Sequence, residues 1–209
     1  MYCFLEVKNL RGQVLDLIPL ETVLFPYEQS GLRVTHPHLR SLIRSSLWWN
    51  RPLGVAMIKE GDLYGAPPIT FEVGTLIFIQ NYHLYNRYYT LHIEGRRRFQ
   101  IRRLVQEQPH LRVEVEYLDS GERPYFPGNY RKLYQILDRI MLKLELGKEK
   151  SQKKKLYLSP NHEDLLGTAG MLLSGFREKK QELLESPGEK LVSSLTEVFP
   201  HYFHLEEKE

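Results

Sequence analysis

Apolar positions along the chain follow two different periods. Up to about residue 118 they fall in short stretches rich in Val, Ile, Tyr and Phe, broken by turn residues at the spacing of an all-β unit. These stretches predict strands over 14–18, 32–35, 53–58, 73–80, 88–94, 99–105 and 111–118. A turn is expected at Gly31, with connections over 59–62 and 81–87. One segment breaks the pattern. Pro37 at a first helical position, followed by Leu39, Leu42, Ile43 and Leu47, predicts a single amphipathic helix among the strands, placed to plug one end of a small barrel.

Beyond Gly121 the period lengthens. Leu133, Leu137, Ile140, Met141 and Leu144 recur three or four residues apart, which puts them on one face of a helix. Ser159-Pro160 and Ser186-Pro187 each set a hydroxyl cap before a proline, with Glu189 completing a capping box, so two further helices are expected to start there. A short helix over 176–185 lies between them, and 147–155 is a charged stretch without apolar period, read as a solvated loop. The architecture predicted is α+β: an N-terminal β-barrel lobe with one embedded helix, residues 1–122, followed by a C-terminal helical lobe, residues 123–209. The crossover over 117–129 contains Gly121, Pro124, Pro127 and Gly128.

Composition narrows the class. At 209 residues, 42% hydrophobic and 26% charged, the chain has the balance of a folded protein able to bury a core. Its apolar runs, such as 73–79, fall far short of the roughly 20 residues that cross a bilayer. The first residues carry no basic start and no cleavage site, so a cytoplasmic location is expected, with no membrane partner. The single cysteine, Cys3, excludes a disulfide framework and zinc knuckles built on cysteine pairs. With 29 basic against 26 acidic residues the net charge is +3, so any case for nucleic acid must rest on a local patch.

Several short segments, in order, carry a resemblance. The run 17–26, Leu-Ile-Pro-Leu-Glu-Thr-Val-Leu-Phe-Pro, resembles the opening motif of the Lon substrate-binding domain, the N-terminal module of the ATP-dependent Lon proteases. The same order continues through Arg33, Gly54-Val55-Ala56-Met57-Ile58, Val73-Gly74-Thr75-Leu76, Gly95, Arg98-Phe99-Gln100-Ile101 and 111–116, and the helical tail of the family resembles 180–185 followed by Glu189-Lys190-Leu191. The resemblance implies a PUA-like β lobe and an all-helical lobe, and a role in recognising polypeptide segments or in adapting them for proteolysis. Two departures stand out: Tyr27 follows Phe25-Pro26 where the family usually has glycine, and Thr35-His36-Pro37-His38-Leu39 replaces an aromatic-acid pair followed by Pro-Arg-Tyr. A contact that relies on a carboxylate at His36 is lost.

No catalytic residues, no cofactor and no metal site are expected. The chain has no Gly-x-x-x-x-Gly-Lys-Ser/Thr phosphate loop, and nothing in its length is left over for the ATPase and Ser-Lys peptidase modules of full-length Lon. Ser151 and Lys154 have the spacing of some acyl-transfer enzymes but sit in the charged stretch, where nothing desolvates the lysine. His36 with His38, and His201 with His204, lack neighbouring ligands of matching spacing, and His162-Glu163-Asp164 reads as an acidic first helical turn.

Two sets of binding residues remain. Trp48 and Trp49 at the end of the embedded helix, with Tyr82, Tyr85, Tyr88 and Tyr89 around a turn, could grip apolar side chains of a polypeptide, although rings of this kind also cap barrel ends. Arg96, Arg98 and Arg102, placed by alternation on one strand face, form a basic stripe that would bind phosphate in an RNA-binding alternative, with 153–155 as further cations. The plainer explanation of the stripe is cross-strand pairing with Glu114 and Glu116.

Overall fold

The computed structural model describes residues 12–63, 68–118, 127–146 and 162–205. Cys3, the Ser151 to Lys154 spacing, the 153–155 lysines and the Ser159 cap lie outside them, as does most of the crossover. The contacts divide into two compact units, one within 1–24 and 29–122, the other within 25–28 and 123–209.

Unit 1 contains the strands β1 (Gln13–Leu20), β2 (Gln29–Val34), β3 (Leu53–Glu60), β4 (Ile69–Thr70), β5 (Val73–Leu84), β6 (Tyr89–Gln106) and β7 (Leu111–Tyr117), and the helix α1 (Pro37–Trp49). The sheet runs β1-β7-β6-β5-β3-β4, and a parallel pairing of β1 with β3 closes it into a barrel. β2 lies off this ring and pairs with the first part of β6. Two cores result. Leu15, Leu17, Leu76, Val113 and Val115 pack around Phe99, whose ring lies over Gly54 and Gly74; an added Cβ at Gly74 would collide with it and one at Gly54 would press tightly on it. Ile18, Val34, Val55, Ile77, Leu91 and Ile93 receive Leu39, Leu42 and Ile43 of α1, so the helix plugs the barrel as the periodicity predicts.

The strand pattern differs from expectation in three places. Gly31 is no turn but sits mid-β2, paired with His92. Residues 81–84 are strand: Asn81-Tyr82-His83-Leu84 alternates polar with apolar, extends β5 and leaves only 85–88 as the tip. The two strands expected at 88–94 and 99–105 are one continuous β6, because Gly95, Arg97 and Arg98 remain in the ladder with β5.

Unit 2 contains α2 (Pro127–Leu146), α3 (His162–Leu172), α4 (Arg177–Glu185) and α5 (Gly188–Tyr202). Leu133, Leu137, Ile140 and Met141 of α2 are buried, but Leu144 faces solvent because the last turn has run past the packed region. Glu163 and Asp164 occupy the first turn of α3, where their charge favours the helix dipole. Ser186 does not open α5. Pro187 holds the cap position, and the Ser186 hydroxyl donates to the Glu182 carbonyl in the last turn of α4.

The segment Phe25–Glu28 belongs to this helical unit although it lies between β1 and β2. Tyr27 has φ of +63°, the left-handed region where glycine is at ease, which explains why glycine suits this position. Its carbonyl lies so close to Gly167 of α3 that a side chain there would strike it. Glu28 accepts a hydrogen bond from the Phe25 amide at 2.8 Å and pairs with Lys180 of α4 at 2.8 Å. Both charges are buried, Lys180 with 1% exposure, and the ammonium also faces the Phe25 ring. Burial pushes the Glu28 carboxyl above its ordinary value and the Lys180 ammonium below its own, in each case outweighing the attraction of the partner.

Candidate functional site

The candidate residues all lie on unit 1, and the structure sorts them into three environments. The first is solvent. Trp48 and Trp49, 80% and 62% exposed, stand on the last turn of α1. That turn is rigidly finished: Asn50 takes the left-handed cap conformation, the Ser46 hydroxyl donates to the Arg51 carbonyl at 2.7 Å, and the Arg51 amide returns to the Ser46 carbonyl. The Arg51 guanidinium lies 5.8 Å from the centre of the Trp49 ring. The indoles are therefore held out by a fixed backbone while their faces meet water.

The hairpin of β5 and β6 carries the tyrosines. Tyr82 and Tyr85 are about half exposed, and Tyr85 stacks on Tyr88 with ring centres 4.7 Å apart. Arg33 of β2 covers the Tyr88 ring at 4.1 Å. Tyr89 departs from the expectation: it is buried in the α1 core, although its ring lies 6.3 Å from that of Tyr82. It supports the exposed ring rather than offering a surface. Alternation carries it inward as the cross-strand neighbour of Val34.

The arginines do not form one face. Arg96 and Arg102 are each an extra residue in a β-bulge of β6, so the alternation that would align them with Arg98 is broken twice. Arg98 is 1% exposed beneath the sheet surface and cannot reach a phosphate. Arg96 pairs with Glu94 at 3.1 Å, Arg102 gives two hydrogen bonds to Glu116, and Arg103 pairs with Glu114. Cross-strand pairing with Glu114 and Glu116 is thus what this part of β6 does with its charge.

Sequence reasoning missed one feature, the chemistry of the other end of β6. No aspartate or glutamate occurs between Gln29 and Lys59, or between Val73 and Ile93. These two runs supply β2, α1, the start of β3, β5 and the first part of β6, so the exposed rings stand among Arg33, Arg44, Arg51 and Arg87 without an acidic neighbour in sequence. The gap in acidic residues was visible in the sequence; that the two runs fold side by side was not.

Residues 14–190 match the family described as the ATP-dependent protease La (LON) substrate-binding domain. The chain belongs to that family. Two solved Lon N-terminal domains have a similar fold. The Lon N-terminal domain protein of Xanthomonas campestris aligns with a TM-score of 0.61 at 21% identity, over 89% of this chain and 98% of that one. The N-terminal domain of the Mycobacterium avium complex Lon protease aligns with a TM-score of 0.61 at 14% identity, over 93% and 100%. No curated protein gives a significant match. The Lon fold, a sheet-rich N-terminal region followed by helices, is therefore the fold of this chain, and membership carries a substrate-binding role. Among the described residues no three His, Cys, Asp or Glu side chains gather as a metal site, His36 and His38 form a tilted ring pair, and no helix is long and apolar enough to cross a membrane.

Proposed function

We propose that the protein is a non-catalytic Lon-type substrate-binding domain of the cytoplasm, with a PUA-like β lobe, that recognises extended or unfolded polypeptide segments directly or as an adaptor in protein quality control. The observation that carries the reading is the set of large rings held in water on unit 1: Trp48, Trp49, Tyr82 and Tyr85. Fixed, exposed aromatic surface of this kind gains free energy when a partner's apolar side chains cover it, at little cost in side-chain entropy. Tyr88 and Tyr89 serve as the supports beneath. Weighing against the RNA alternative is that, of the three arginines it would use, Arg98 is buried and Arg96 and Arg102 are paired with glutamates.

The test is a salt titration of the full chain against two labelled probes, a reduced and alkylated unfolded protein and a single-stranded RNA. Binding of the unfolded protein should persist from about 50 to about 500 mM salt, because side-chain burial rather than counterion release supplies it. Replacing both Trp48 and Trp49 by alanine should weaken it about tenfold. Binding of RNA alone, falling steeply with salt, would transfer the function to the alternative. No ATP turnover or protein cleavage by the purified chain is expected.

A further inference from the structure

β5 is longer than the strand beside it. β3 pairs with β5 only through Thr75, Leu76 and Ile77, the last opposite Leu53 where β3 begins. From Phe78 to Leu84 the pairing of β5 among the described residues is with β6 alone. The other edge of this stretch therefore has no ladder partner among those residues, although the Tyr82 amide already donates to the Asn81 side-chain oxygen at 2.7 Å. Exposed along it are Phe78, opposite Glu94 on one face, and Tyr82 and Leu84, opposite Leu91 and Tyr89 on the other, with Gln80 as the extra residue of the bulge that separates them and Asn81 and His83 between. Trp48, Trp49 and Arg51 precede by a few residues Leu53, which pairs with Ile77 at the root of the edge. At its tip are Tyr85 and Arg87. The nearest carboxylate, Glu94, is already engaged by Arg96 and by the Gln80 amide at 2.6 Å.

Resting on the proposed polypeptide-binding role, we infer that Phe78–Leu84 is a β-augmentation edge: the bound segment adds as an extended strand beside β5. Its preferred occupant alternates large apolar residues with aspartate or glutamate. An edge without a ladder partner is paired along its length by another extended peptide. The exposed rings offer apolar contact to side chains of the added strand, and acidic side chains of the occupant complement Arg51, which lies over Trp49, and Arg87, in a region without aspartate or glutamate in its own sequence. A nucleic acid strand satisfies the charges and the rings but leaves the amide edge unpaired, so the peptide is the better match.

The experiment uses the full chain and a fluorescent peptide of about ten residues alternating Phe or Leu with Asp. Three comparison probes are a lysine-for-aspartate version, a version N-methylated at alternate residues to remove the ladder donors, and single-stranded poly(U). Hydrogen exchange is followed at Phe78–Leu84. The inference expects the acidic peptide to bind about tenfold or more tightly than either altered peptide, to slow exchange along Phe78–Leu84, and to weaken about tenfold on Arg51→Glu. N-methylation on the two alternate registers must both be tried, so that one of them removes the outward donors. Equal binding of the N-methylated peptides in both registers, or unchanged exchange at Phe78–Leu84, would overturn the augmentation and leave the polypeptide role standing. Equal binding of the lysine peptide would overturn the charge preference. Binding of poly(U) with no binding of any peptide would overturn this inference and the proposed function together.

Discussion

Ion pairs of the same elementary kind do opposite things in the two units. On the barrel, Arg102–Glu116 and Arg103–Glu114 lie across β6 and β7 with at least one partner well exposed, so water screens them and each is worth little. In the helical unit, Lys180–Glu28 is shut away from solvent, and there burial outweighs attraction for both partners. The first kind neutralises surface and consumes cations that would otherwise attract phosphate. The second ties Phe25–Glu28 to α4, because breaking the contact would leave a buried charge without its partner.

The comparison can be broken most directly by removing one charge from each kind of pair. Lys180→Ala should cost about 3–5 kcal/mol in urea unfolding, because it strands a buried carboxylate. Arg102→Ala should cost less than about 1 kcal/mol. Similar losses at the two positions would show that burial is not what separates them. Next in size is the rescue. Glu28→Gln with Lys180→Met removes both charges and keeps an acceptor for the Phe25 amide, and the double variant should recover most of the loss, to within about 1–2 kcal/mol of the parent.

Smaller effects probe the backbone around the pair. Tyr27→Gly should be more stable than Tyr27→Ala by about 1 kcal/mol, because alanine must hold the left-handed conformation while both lose the ring. On the barrel, His36 stands at the cap of α1 without a side-chain cap bond, and the first turn has no acidic residue. His36→Asp should raise the unfolding midpoint by a stability of about 0.5–1 kcal/mol.

The pH response sharpens the comparison with the smallest signal. Glu28 in the folded chain holds its proton above the ordinary carboxylate value of 4.5, the effect of burial exceeding that of Lys180. The stability it contributes is therefore full below that value and is lost as pH rises through the folded value. The difference in unfolding midpoint between the parent and Glu28→Gln should shrink in the parent's disfavour as pH is raised from 4.5 toward neutrality. A difference that grows with pH would reverse the assignment.

Much of this was legible from residue pattern. Leu39, Leu42 and Ile43 announce α1, Leu133 and Leu137 announce α2, and Tyr27 after Phe25-Pro26 marks a place where glycine fits. What escaped has a common cause in features that interrupt a period or span the chain. The bulges at Arg96 and Arg102 reset the alternation on which a single basic face depended. The continuation of β5 to Leu84 hid behind Asn81 and His83, polar residues that suggest a loop when their alternation with Tyr82 and Leu84 is overlooked. Lys180 gave a signal that went unused. It stands three and four residues before Leu183 and Leu184, on the buried face of α4, where a lysine needs a partner. That the partner is Glu28 could not be read locally, because 152 residues separate them.

That separation sets a timetable for the chain as it is made. After Phe25–Glu28 is made, the ammonium that satisfies Glu28 follows only 152 residues later, about 8–30 s at ordinary rates of synthesis. Through that interval the carboxylate remains in water and the Phe25 ring has none of the helices it packs with. The segment is a tether held in waiting while the strands that follow it are added. Completion of the helical unit is then late relative to that segment, and a nascent chain halted before Lys180 should expose Phe25 to any chaperone that samples apolar side chains.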